Sequence, residues 1–70
     1  MQSLSATDAC RDRLAAYYHW NDGQSLATAV EIARRKRVNM KRIETWSAAE
    51  GATAKFNVFR AQLRSGHGRG

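Results

Sequence analysis

Proline is absent from this 70-residue chain, and cysteine occurs once, at Cys10. Without proline no position forces a helix to break, and a single thiol rules out an internal disulfide framework. Acidic residues are also scarce, six against twelve Lys and Arg, which leaves a formal net charge of +6. That excess suits nucleic acid, an anionic membrane surface or an acidic protein face, and by itself it does not choose among them. No apolar run approaches the roughly 20 residues of a membrane span or the shorter core of a signal peptide, so the expectation is a cytoplasmic protein with no membrane association. What remains is 43% hydrophobic and rich in Ala and Arg, a composition that favours helix over strand. A chain this short buries only about 60% of the surface its unfolded form exposes, so a partner surface would add usefully to its stability.

The order of caps and apolar stripes predicts an all-α fold, a compact bundle of four short helices over residues 1–64 followed by a disordered, basic, Gly-rich tail at 65–70. Ser5-Ala6-Thr7-Asp8 has the form of a capping box, and Ala6, Cys10, Leu14 and Tyr17 then share one face of a first helix. Asn21-Asp22-Gly23 should stop it, with Gly23 supplying left-handed backbone, and Asp22 or Ser25 should cap a second helix with Leu26, Ala29, Val30 and Ala33 inward. Arg34-Arg35-Lys36-Arg37 reads as the last turn of that helix, where cations complement the negative end of the dipole. Asn39 should cap a third helix carrying Met40, Ile43, Trp46 and Ser47, which Gly51 ends. In the fourth, Ala52, Phe56, Phe59 and Leu63 form the clearest amphipathic stripe in the chain. The predicted core is Leu14, Tyr17, Leu26, Val30, Ile43, Trp46, Phe56, Phe59 and Leu63.

Little in the sequence points to catalysis. Cys10 lies in the inward stripe of the first helix, as a small buried hydrophobe would. His19 and His67 have no Cys or carboxylate at a ligand spacing, so no metal site is expected. Asp8, Asp12, Asp22, Glu31, Glu44 and Glu50 are scattered, and no phosphate-cradling Gly-rich loop follows a strand. The expectation is therefore a non-enzymatic protein with no cofactor and no small-molecule substrate.

Two features suit binding instead. Tyr17-Tyr18-His19-Trp20 puts four rings at the end of the first helix. At about 100° per residue Tyr17 turns into the core, Tyr18 and Trp20 fall on opposite shoulders, and His19 faces away. Tyr18, His19 and Trp20 are thus candidates to contact a protein partner or a second copy of the chain. The other feature is a run of six cations in nine residues, Arg34, Arg35, Lys36, Arg37, Lys41 and Arg42. It reads either as a solvated helix end or as a phosphate-contacting surface of a nucleic-acid-binding protein. A helix-turn-helix reading would place Lys41, Arg42 and Thr45 outward on a recognition helix, which carries few residues suited to base readout.

Leu4–Cys10 with Asp12–Asp22, and Arg42–Ser47 through Glu50-Gly51 to Lys55-Phe56 and Phe59, resemble the helical C-terminal region of bacterial nucleotidyltransferase-like proteins of the minimal type. The likeness covers about residues 4–64, with Ala6 where Pro would be expected at the first helical position. It implies a helical module that packs on, or works beside, a nucleotidyltransferase-like half. The Gly-Ser and paired-Asp metal motif of that half has no counterpart in this sequence, so the resemblance assigns no catalytic residue.

Overall fold

A computed structural model describes residues 5–65. It contains α1 (Ala6–Trp20), α2 (Gly23–Arg35), α3 (Met40–Ala49) and α4 (Thr53–Ser65) and, among the described residues, no strand. Three of the four helices start on a side-chain cap: Ser5 Oγ accepts from the Asp8 N–H, Asp22 from the Gln24 N–H, and Asn39 Oδ1 from the Arg42 N–H. Each cap supplies an acceptor to a backbone donor that has no partner within the helix.

Two very short turns set the architecture. Asn21, at φ 53°, ends α1 in left-handed backbone, and Asp22 immediately begins α2. The left-handed position expected at Gly23 is therefore held by Asn21, and Gly23 is the first helical residue of α2. Asn tolerates this conformation because its short polar side chain is compatible with local hydrogen bonding. Between α3 and α4, Gly51 at φ 73° completes a Schellman turn, in which the Gly51 N–H bonds to Ala48 and the Ala52 N–H to Ser47. That turn buries Ala52 and sends the chain straight into α4.

The expected end of α2 needs correction. The helix stops at Arg35, and Lys36 is extended, so Lys36 and Arg37 stand in the connection to α3. Leaving the helical path there lets Val38 pack on the core and the Asn39 N–H donate to Thr7 Oγ1 at the start of α1, 2.9 Å away. Ser65, expected in a disordered tail, closes α4, while residues 66–70 and 1–4 lie outside the described residues.

The core is built from Cys10, Leu14 and Tyr17 of α1, Leu26, Ala29 and Val30 of α2, Ile43 of α3, and Phe56 and Phe59 of α4. Trp46 and Leu63, predicted as core, are half-buried and pack on its margin. For Trp46 the reason is that its ring stacks on Tyr18 and also carries the Arg11 guanidinium. Cys10 is fully buried and its thiol donates to the Ala29 carbonyl at 3.5 Å, joining α1 to α2. Those two helices make the main pair, α4 lies on α2 and α3, and α3 touches α1 more lightly.

The cross-links also orient the helices. Asn39 on Thr7 and Arg34 on Gln62 bring together the start of α1, the end of α2, the start of α3 and the end of α4. His19 beside Glu50 and Lys55 on Asn21 gather the four opposite termini. The bundle thus has two ends, each made from four helix termini.

Candidate functional site

The ring cluster belongs to the end formed by the α1–α2 turn, and its three candidate residues have separate fates. Tyr18 faces inward. Its hydroxyl is 2.7 Å from Ser47 Oγ, its ring stacks on Trp46 with centroids 5.3 Å apart, and its carbonyl accepts from Lys55 Nζ at 3.3 Å. Burial pushes the Tyr18 phenol above its usual pKa, and the bond to Ser47 pulls the other way. Tyr18 therefore ties α1 to α3 and α4.

His19 is exposed, with Nε2 3.9 Å from Glu50 Oε1, a loose pair that attracts only when the imidazole is protonated. Trp20 is 78% exposed, the largest apolar side chain turned to solvent among the described residues. Around them Lys55 also bonds to Asn21 Oδ1 at 3.4 Å and sits 5.3 Å over the Tyr17 ring, which fixes the start of α4 against the end of α1. Trp20 thus projects from a helix end held on either side of it by Lys55, at the Tyr18 carbonyl and at Asn21.

The basic run forms the opposite end, and its six members also divide. Arg34 Nη2 donates to the Gln62 carbonyl at 3.3 Å, satisfying an acceptor in the last turns of α4. Arg35 pairs with Glu31 one turn back at 2.8 Å. Lys36, Arg37, Lys41 and Arg42 are exposed, and their side chains have no partner among the described residues. Lys41 and Arg42 stand in the first turn of α3, which holds no acid, where each cation opposes the positive helix end by about 0.3–1 kcal/mol. The Arg34 contact sets the last turns of α4, which also carry Arg64, against the end of α2. A basic last turn was visible in the sequence, but only the fold places it beside α2.

Glu44 is exposed on α3, and most of the other acids already have partners. Asp8 pairs with Arg11 and Asp12 with Arg13 on α1, Glu31 with Arg35 on α2, and Asp22 is committed to its cap. Bonds from Ser25 Oγ and the Gln24 N–H hold the Asp22 carboxyl below the usual carboxylate range. Cys10, sealed in the core, has its thiol pushed up to about 11 by burial, a neutral and unreactive state at physiological pH. The open groove of about 430 Å³ along α1 and α3 is lined by Asp8, Arg11, Asp12, Ala15 and Trp46 and lacks a nucleophile–base pair. Among the described residues no three His, Cys, Asp or Glu converge in a way that would hold a metal ion. Nor is any helix among them long and apolar enough to cross a membrane.

For the helix-turn-helix reading, α2 and α3 would have to pack as a pair, whereas α3 packs on α4 and, more lightly, on α1. The structure thus defines an all-α domain with two chemically distinct ends, one presenting Trp20 and the other a group of free cations. No family model matches the chain, and no curated protein or solved structure is detectably similar to it.

Proposed function

We propose that this chain is a non-catalytic helical interaction module that docks on a protein partner through the end bearing Trp20. The partner is a second copy or a nucleotidyltransferase-like half, on the same chain or another, of the kind the sequence resembles. The observation that carries the reading is Trp20, 78% exposed on a backbone braced by Lys55 and by the Asn21-Asp22 turn. An indole offers about 150–250 Å² of burial, and tryptophan is prominent among the residues that dominate interface energies. His19 and Glu50 beside it supply a polar rim.

The test is association followed by Trp20 itself. Sedimentation of the chain alone, and mixed with any nucleotidyltransferase-like protein encoded beside it, should show a dimer or a complex that Trp20→Ala weakens at least tenfold, about 1.4 kcal/mol. Indole emission should shift to the blue on binding. A monomer at high concentration that also ignores the neighbouring protein counts against the reading, as does association indifferent to Trp20→Ala.

A further inference from the structure

Independently of what docks at Trp20, we infer that the opposite end binds the sugar-phosphate backbone of double-stranded nucleic acid, without reading its sequence. Four cations without a partner among the described residues, Lys36, Arg37, Lys41 and Arg42, come from the α2–α3 connection and the first turn of α3. Arg34 and Arg35 precede them at the end of α2, each already engaged, on the Gln62 carbonyl and on Glu31. Lys41 and Arg42 oppose the dipole of their own helix, and the acids that α1 and α2 bring to this end, Asp8 and Glu31, are already held by Arg11 and Arg35. A polyanion relieves both conditions by placing negative charge where cations and helix N–H groups already point.

The kind of polyanion follows from what accompanies the cations. Proteins that hold single strands set aromatic faces beside the charge so that bases can stack. Here Trp46 is already stacked on Tyr18 and overlaid by Arg11, Tyr18 is tied to Ser47, and Trp20 lies at the other end of the bundle. Base-edge readout favours Asn, Gln or outward Arg along a helix in the major groove. On α3 only Arg42 is of that kind: Asn39 is occupied in capping, and the next outward positions are Glu44 and Thr45, the first of which repels DNA or RNA. Charge without stacking or readout favours the ligand with the highest phosphate density. In a duplex that is one charge per about 1.7 Å of axis.

The experiment is fluorescence anisotropy with labelled duplex DNA of two unrelated sequences, duplex RNA, a single strand of the same length, and anionic lipid vesicles as competitor, from 50 to 200 mM salt. Four phosphate contacts give a log–log slope of about −3.6 for duplex DNA, so affinity should fall on the order of 100-fold over that range. Both duplex sequences should bind alike, and more tightly than the single strand. Arg37→Ala and Lys41→Ala should each lower the slope by about 0.9, while Arg13→Ala, which removes the same charge from the Asp12 pair, should leave it unchanged. All three sites are exposed, and helical circular dichroism verifies that each variant is folded. Tighter binding of the single strand, a difference above about tenfold between the two duplexes, or preferential capture by vesicles overturns the inference. So does equal sensitivity to Arg13→Ala, or no binding at 50 mM salt.

Discussion

Replacing Tyr18 by Phe removes one oxygen atom and keeps the ring that stacks on Trp46. The Tyr18 hydroxyl lies 2.7 Å from Ser47 Oγ, and Ser47 is fully buried, so its hydroxyl has no water to turn to. The loss of a hydrogen bond accounts for about 0.5–1.5 kcal/mol, and stranding a buried hydroxyl raises the cost to about 1–3 kcal/mol. For a domain of this size each kcal/mol lowers the Tm by roughly 4–8 °C. Thermal unfolding of Tyr18→Phe should therefore fall by several degrees to around 20 °C. Ser47→Ala should be destabilised by a similar route, since it strands the half-buried phenol. The double variant, which removes both partners, should lose less than the sum of the two singles, with a coupling of at least about 0.5 kcal/mol. Additive losses, or a Tyr18→Phe protein as stable as the parent, would falsify the assignment of Tyr18 as an internal tie and return it to the group of side chains offered to a partner.

Gly51 at φ 73° has open space around the position a Cβ would take, so Gly51→Ala tests backbone conformation alone. It should cost about 1–2 kcal/mol in urea unfolding, and a neutral result would mean that the turn is not left-handed. Cys10, buried with its thiol raised to about 11, should react with iodoacetamide only through unfolding, at a rate that follows denaturant. Because the raised value belongs to the folded state, its stabilising effect is complete below the unfolded value of 9.0 and is lost as pH rises towards about 11. Cys10→Ala should flatten that alkaline decline. Asp22 has the opposite sign. Its carboxyl is depressed by Ser25 and the Gln24 N–H, so the stability it contributes is present above its ordinary value of 3.8 and is lost as pH falls through the lower folded value. Acid titration of Asp22→Asn should show a shallower loss, and an unchanged acid limb would remove the cap from the account.

Much of this architecture is legible in the residues because local and tertiary demands agree. Ser5, Asp22 and Asn39 cap as short polar side chains do wherever a helix starts, and Phe56 and Phe59 have one apolar face to bury. The end of α2 is less legible because Arg35, Lys36 and Arg37 are equally good helix formers, and the connection that follows is anchored by a contact between residues 32 positions apart, the Asn39 N–H donating to Thr7. Trp46 misleads for a related reason: its spacing marks an inward position, yet a large ring on a ten-residue helix reaches the margin, where Tyr18 and Arg11 receive it. At the two candidate surfaces the sequence places the rings and the cations but not their engagement. Tyr18 and Trp20 look like matching shoulders of one wheel until α3 and α4 close over only one of them.

That asymmetry separates the two surfaces along the bundle. From Thr7, which touches the basic end, to Trp20 is thirteen helical residues, about 20 Å at 1.5 Å per residue. At physiological salt, where the screening length is about 8 Å, a charge bound at one end is nearly invisible at the other. Side chains further apart than about 10 Å with no shared partner generally contribute additively. A protein docked on Trp20 and a duplex held by Arg37 and Lys41 should therefore bind together, each with the affinity it has alone. In a combined titration, Trp20→Ala should weaken only the protein complex and Lys41→Ala only the nucleic-acid complex. If either variant weakens both, the two ligands share one surface, and the division of this small bundle into two independent ends is mistaken.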